Sequence, residues 1–179
     1  MNIFISGGAK NGKSMYAQHL AKQMAEGGRK LYYIATMDPV DEEDEIRIQR
    51  HIEDREGWGF ETIEQPTDMG KIYEKDIELD GAFLFDSVTA ILSNEMFKRD
   101  GSVDLEAYKK VAKDLVEFAH NTGNTVFVSD YIYSDAARFD ELTEKYRESL
   151  AYIDRQLCDV CDAVVEVAYG TMIVHKGNL

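Results

Sequence analysis

Asn2-Ile3-Phe4-Ile5-Ser6-Gly7-Gly8-Ala9-Lys10-Asn11-Gly12-Lys13-Ser14 decides how this chain folds. Asn2 to Ser6 is a short apolar run of strand type. It passes directly into Gly7 to Ser14, which satisfies the P-loop pattern G-x-x-x-x-G-K-[ST]. With glycine near 7% of average usage, a chance match in such a chain is on the order of one per cent. A helix follows, with Tyr16, Leu20 and Met24 at helical spacing, Ala17 and Ala21 beside them, and Gly27-Gly28 as its stop. In a strand, loop and helix of this kind, the loop N–H groups and the helix N-terminus converge on one anion. Gly7, Gly8, Ala9, Lys10, Asn11, Gly12, Lys13 and Ser14 are therefore the candidate phosphate cradle. Lys13 is placed to reach the β- and γ-phosphates, and the Ser14 hydroxyl to ligate Mg²⁺. The competing reading is a glycine-rich turn with an incidental lysine.

Beyond this unit, Lys30 to Thr36 is continuously apolar in its centre, as a strand covered on both faces requires. Asp41 to Arg55 predicts a charge-dense helix, Phe60 to Glu64 a short strand, and Ala82 to Asp86 a buried one. Val88 to Phe97 and Leu105 to Ala119 are helical by period, and Thr125 to Val128 is a further buried strand. The longest amphipathic helix carries Phe139, Leu142, Tyr146, Leu150, Ile153 and Leu157 on one face. Ala163 to Ala168 and Met172 to His175 close the chain as two strands about Tyr169-Gly170. Strands alternating with helices argue for an α/β, P-loop NTPase-type three-layer fold, mainly a parallel sheet with helices on both faces. At 179 residues the expectation is one domain, residues 1–179.

Ligands bind at the carboxyl ends of parallel strands, so carboxylates that end strands are the candidate partners of Mg²⁺. Asp86 fits best, and Asp130 is second; for each, the alternative is a strand-end or capping aspartate. The 34 acidic and 20 basic side chains leave a formal charge of −14, which repels nucleic acid. An anionic substrate then depends on local cations, and Lys10, Lys13, Arg47, Arg50 and Arg55 are the candidates, with solvated helix faces as the competing reading. Cys158 and Cys161 form a C-x-x-C, but no second pair accompanies it, so two small residues near a helix end are expected rather than zinc or redox chemistry. No apolar run is long enough to span a bilayer, no secretory signal precedes the first strand, and a cytoplasmic location is expected. Of four histidines only His51 sits among arginines, although a histidine on a charged helix is ordinarily just solvated.

Several stretches taken together resemble a known family. They are Gly7 to Ser14, Tyr33-Ile34-Ala35-Thr36, Arg47-Ile48-Gln49-Arg50-His51, Ile63-Glu64-Gln65-Pro66, Asp86-Ser87-Val88-Thr89, Leu92-Ser93-Asn94, Tyr146-Arg147 through Gln156-Leu157, and Tyr169-Gly170. The ordered set is similar to the bifunctional adenosylcobinamide kinases and adenosylcobinamide-phosphate guanylyltransferases of cobalamin biosynthesis. That resemblance implies a homotrimer using ATP or GTP with Mg²⁺ to phosphorylate adenosylcobinamide. It also implies transfer of GMP from GTP to that phosphate through a guanylylated histidine, whose position here is His51, with Lys13 and Asp86 in the catalytic set. By the same similarity Asp38, Pro39, Val40, Arg55, Glu64 and Thr89 are candidates for contacting the guanine nucleotide. One segment departs from the pattern. Where the family carries an Asn-Glu pair and Val-Gly-x-Gly-Ile-Val-Pro, this chain reads Asp130-Tyr131-Ile132-Tyr133-Ser134-Asp135-Ala136-Ala137, without glycine or proline. The departure bears on the cobinamide side and the kinase half. The other readings are a P-loop kinase of another small molecule and a non-catalytic nucleotide-sensing subunit.

Overall fold

The computed structural model describes residues 1–133 and 136–179, apart from the side chains of Arg47 and Asp54. The expectations for Arg47 as a cation and for Ser134 and Asp135 in the altered segment lie outside those described residues. One seven-stranded sheet runs through the molecule, in the order β3-β2-β4-β5-β1-β6-β7. The strands are β1 (Ile3–Gly7), β2 (Leu31–Ala35), β3 (Glu61–Glu64), β4 (Ala82–Asp86), β5 (Thr125–Asp130), β6 (Ala163–Ala168) and β7 (Thr171–Lys176). All neighbours pair in parallel except β7, which turns back antiparallel on β6. The register sets Gly7 opposite Asp130 and Ala35 opposite Asp86, so the ends of four strands share one edge of the sheet.

The helices are α1 (Lys13–Met24), α2 (Glu42–Asp54), α3 (Val88–Met96), α4 (Ala107–Thr122) and α5 (Glu141–Val160). On one face of the sheet Phe4, Tyr32, Phe83, Phe85 and Phe127 pack against Leu92 of α3, Leu115 and Phe118 of α4, and Ile153 and Leu157 of α5. On the other, Ile3, Ile5, Leu84, Val126 and Val128 receive Ala17 and Ala21 of α1. The expected apolar stripe of α1 is thereby shifted. The two alanines lie against the sheet because they permit close approach, while Tyr16, Leu20 and Met24 flank them, partly buried. These helices on opposite faces complete the three-layer arrangement expected from the sequence.

One expectation needs correction, and one element was not expected. The long amphipathic helix starts at Glu141, because the Asp140 carboxylate accepts from the Leu142 and Thr143 amides and caps it there. Phe139 and Leu142 are therefore exposed rather than part of the buried stripe, and the Arg147 guanidinium lies 4.9 Å from the Phe139 ring. A 3-10 turn over Met69–Glu74, unmarked by any period in the sequence, buries Met69 and Ile72. The two cysteines lie near the end of α5, the position expected for them, and burial pushes the Cys158 thiol up to about 11 and the Cys161 thiol up to about 12. No helix among the described residues is long and apolar enough to cross a membrane.

Helix α2 differs from the others. Asp41 caps it by accepting from the Asp44 amide at 3.0 Å, and Glu42, Glu43, Asp44 and Glu45 occupy its first turn, where the helix dipole favours negative charge. Among the described residues it gives none to either core cluster, and Ile46 and Ile52 stay about half exposed.

The end of β5 is pinned from beneath by a buried carboxyl group. Asp154 of α5 accepts from the Ser129 hydroxyl at 3.0 Å and the Tyr133 hydroxyl at 2.9 Å. Burial, opposed by those two hydrogen bonds and reinforced by Asp130, pushes the Asp154 carboxyl up to about 7. The folded chain therefore holds a proton that the unfolded chain releases near pH 4. This group's contribution to stability falls as pH rises from about 4 to 7 and is level above, a change on the order of 4 kcal/mol. Asp154→Asn should remove the dependence. Its advantage in melting temperature over the parent, followed by circular dichroism across pH 4–8, is expected to widen up to about pH 7 and then stay constant.

Candidate nucleotide and histidine sites

The loop between β1 and α1 closes because three of its positions suit the turn. Gly12 has φ +90°, Lys10 sits at φ 57°, and Gly7 faces the backbone of β6 so closely that a Cβ would lie 2.5 Å from the Val167 carbonyl oxygen. The Asn11 amide donates to that same carbonyl, tying the loop to the sheet. The first residue of α1 is Lys13, largely buried, whose ammonium donates to the Gly8 carbonyl at 3.3 Å and pairs with Asp130 Oδ1 at 2.6 Å. Ser14 follows, partly buried, in the first turn. The Lys13 ammonium and the start of α1 thus lie together at the loop, and Asp130 stands beside them.

A second site opens farther along the same edge. A cavity of about 330 Å³ is bounded by Tyr33 and Ala35 of β2, Met37 to Pro39 after it, Glu45, Ile48, Gln49 and His51 of α2, Arg55, Glu64, Pro66, Asp86, Ser87 and Ala90. It gathers six of the residues expected to act together, namely Asp38, Pro39, His51, Arg55, Glu64 and Asp86. His51 is half-buried. Arg55, at the end of α2, is 7% exposed and places its guanidinium 3.4 Å from the centre of the Tyr33 ring. Its Nη1 is buried with no hydrogen-bond partner among the described residues. Buried polar groups left without partners are rare and costly, and Arg55 lines the cavity.

Tyr33 connects Arg55 to the strand-end carboxylate, since its hydroxyl donates to Asp86 Oδ2 at 2.9 Å. Burial first, and the Asp86 charge next, raise the Tyr33 hydroxyl well above its ordinary pKa and keep it a donor. Asn94 braces the wall by donating to the Thr36 and Pro66 carbonyls, both at 2.8 Å. The sequence reading missed Tyr33 as a site residue. The available signal was strand parity, which puts Tyr33 on the same face of β2 as Ala35.

Other expected residues lie elsewhere. Thr89 Oγ1 accepts from the Asp130 amide at 2.9 Å and joins α3 to the end of β5 rather than lining the His51 cavity. Val40 is 86% exposed, Lys10 points to solvent in the loop, and Arg50 is exposed on α2. Of the two carboxylates, Asp130 is at the phosphate loop and Asp86 at the His51 cavity, whose lining contains no residue of Gly7 to Ser14.

Comparison with known proteins matches residues 3–174 to the family described as cobinamide kinase / cobinamide phosphate guanyltransferase. The chain belongs to this family. Curated relatives include the bifunctional adenosylcobalamin biosynthesis protein CobP of Pseudomonas aeruginosa, 26% identical over 99% of both chains. The corresponding CobU of Salmonella typhimurium is 24% identical, over 98% of this chain and 100% of the relative. CobU of Escherichia coli is 31% identical over 58% of this chain and 55% of its own. Family membership thus makes the chain an enzyme of the kinase and nucleotidyltransferase type, in cobalamin biosynthesis. Solved structures with the same fold include the flagellar accessory protein FlaH of Methanocaldococcus jannaschii, at TM-score 0.51 and 16% identity, covering 99% of this chain and 78% of that one. A second solved structure, an ATPase domain, aligns at TM-score 0.53 and 11% identity, covering 98% of this chain and 76% of that one. These likenesses establish the P-loop NTPase-type fold.

Gly7→Ala tests the phosphate loop directly. The new methyl has backbone on one side and Asn11 on the other, so the loop must move. Nucleotide affinity, measured by titration with a fluorescent ATP analogue, is expected to drop at least about ten-fold, with a stability loss of about 1–3 kcal/mol.

Proposed function

We propose that this single P-loop domain phosphorylates adenosylcobinamide and then transfers GMP from GTP to the product, with His51 as the carrier. The observation that carries this reading is the company His51 keeps, in one cavity with the partnerless Arg55 nitrogen and with Asp38, Pro39, Glu64 and Asp86. An imidazole, ordinarily half-protonated near pH 6.5, is a competent nucleophile close to neutrality. Its neutral ring nitrogen attacks the α-phosphorus of GTP, an N–P bond forms, and the bond to the β-phosphate oxygen breaks as pyrophosphate leaves. The acceptor phosphate oxygen then attacks the same phosphorus, and the N–P electron pair returns to the imidazole.

In this scheme Lys13 and the α1 N-terminus hold the phosphates that depart, and Arg55 Nη1 takes a phosphoryl oxygen of the group that stays. Asp38, Pro39 and Glu64 contact the nucleoside, whereas Val40 and Thr89 lie outside the cavity. Mg²⁺ suits the donors on this edge, because a serine hydroxyl and one carboxylate leave room for water and phosphate oxygens. Ser14 would hold it with Asp86, or with Asp130 once Lys13 has moved to phosphate; the ion neutralises phosphate charge. The same reading includes a homotrimer acting in the cytoplasm.

A second reading has one observation in its favour. No residue of the phosphate loop lines the His51 cavity, as would suit a P-loop kinase of another small molecule in which His51 only binds. Labelled GTP separates the two. With Mg²⁺ and GTP labelled at the α-phosphate, acid-labile label is expected on the protein, stable to alkali and absent from His51→Ala. Label that passes only from the γ-position to a small molecule, with none on protein, establishes the second reading instead.

A further inference from the structure

Beside the His51 cavity lies a larger groove, of about 1080 Å³, and Asp38 and Pro39 form the wall the two share. We propose that this groove binds the acceptor of the transfer, a phosphate monoester on a bulky body, with its phosphate directed over Asp38 towards His51. The inference rests on the reading of His51 as guanylyl carrier.

Size separates the two concavities first. Small-molecule sites run to about 300–1,000 Å³, so the cavity suits part of a nucleotide, while the groove holds something larger. Charge separates them more sharply. The cavity is lined by Asp38, Glu45, Glu64 and Asp86 against Arg55, its one permanent cation among the described residues. The groove carries Lys71, Lys98, Arg99 and Lys110 against Asp38, Asp68 and Glu95. In a chain of net charge −14, a second anion arriving at an occupied cavity meets repulsion there and attraction along the groove.

The cations are ready to change partners. Lys98 Nζ is 3.8 Å from Asp104, and Lys71 Nζ 3.1 Å from Asp68, with both lysine side chains about half exposed or more. Exposed pairs of this kind contribute about 0–1 kcal/mol, whereas a phosphate dianion offers stronger, charge-assisted hydrogen bonds. Arg99 is hydrogen-bonded through two of its nitrogens to Asp38, so it stands where the groove meets the cavity. Phe97, 37% exposed, and Val40 give the groove apolar surface for the body of the ligand. This accounts for the place of Val40, which the resemblance had put with the nucleotide. The concavity around Lys22, Arg29 and Lys30 is also basic, but it opens at the start of β2, away from His51.

The test is equilibrium dialysis of adenosylcobinamide phosphate, followed by its visible absorbance, against the full chain without GTP. Lys71→Glu with Lys98→Glu is expected to raise Kd at least about ten-fold, at roughly 0.7 kcal/mol or more for each reversed charge. Lys98→Arg is expected to stay within about two-fold of the parent, and melting curves confirm that each variant is folded. Unchanged affinity in the folded double variant, or no binding by the parent, overturns the proposal. Label from α-labelled GTP is read on the parent in parallel: corrinoid binding without label sinks the histidine step alone, and label without corrinoid binding sinks the groove alone.

Discussion

The site depends on a close contact between two pieces of backbone. β1 ends against β6 at a separation that leaves no room for a side chain at Gly7, and Asn11 secures the contact by donating to the Val167 carbonyl. In a chain with 34 acidic residues, the anion site proposed at this loop would rely on backbone dipoles, which bind an anion without relying on the overall charge. The ends of the neighbouring strands then fall into place by register, Asp130 beside Gly7 and Asp86 beside Ala35.

Strand-forming runs and the phosphate loop were readable because they are local. Ile3 to Gly7 and Ala82 to Asp86 are apolar stretches with abrupt polar or glycine ends, and parallel strands buried on both faces must look like that. What escaped was set by contacts far apart in sequence. Tyr33 is an ordinary strand aromatic until Arg55 stacks on it and Asp86 accepts from it. The 3-10 turn at Met69–Glu74 has no period long enough to register, and the start of α5 was hidden because Phe139 continues the apolar spacing past the Asp140 cap. Thr89 and Val40 were placed by resemblance alone; in the fold one is spent on the Asp130 amide and the other is turned outward.

The segment after β5, where the chain departs from its family's glycine-rich pattern, is supported differently here. Tyr133 folds back on Asp154, and the Tyr131 amide donates to the Gly7 carbonyl at 3.0 Å. The Arg147 guanidinium donates to the Ile132 carbonyl at 3.1 Å and the Ala137 carbonyl at 3.2 Å. Side chains of α5 thus brace the described backbone on either side of this segment, while Thr89 of α3 holds the Asp130 amide. Asp154 and Asp130, the ion-pair partner of Lys13, act on each other at the end of β5.

The pairing of Lys13 with Asp130 has a consequence for selectivity. Any incoming anion must displace a carboxylate already seated at 2.6 Å, so a weak or singly charged ion gains little by entering. In the function proposed here, a polyphosphate that engages the backbone amides at the same time would overcome that incumbent. The aspartate would then act as an internal competitor that sets a threshold for entry.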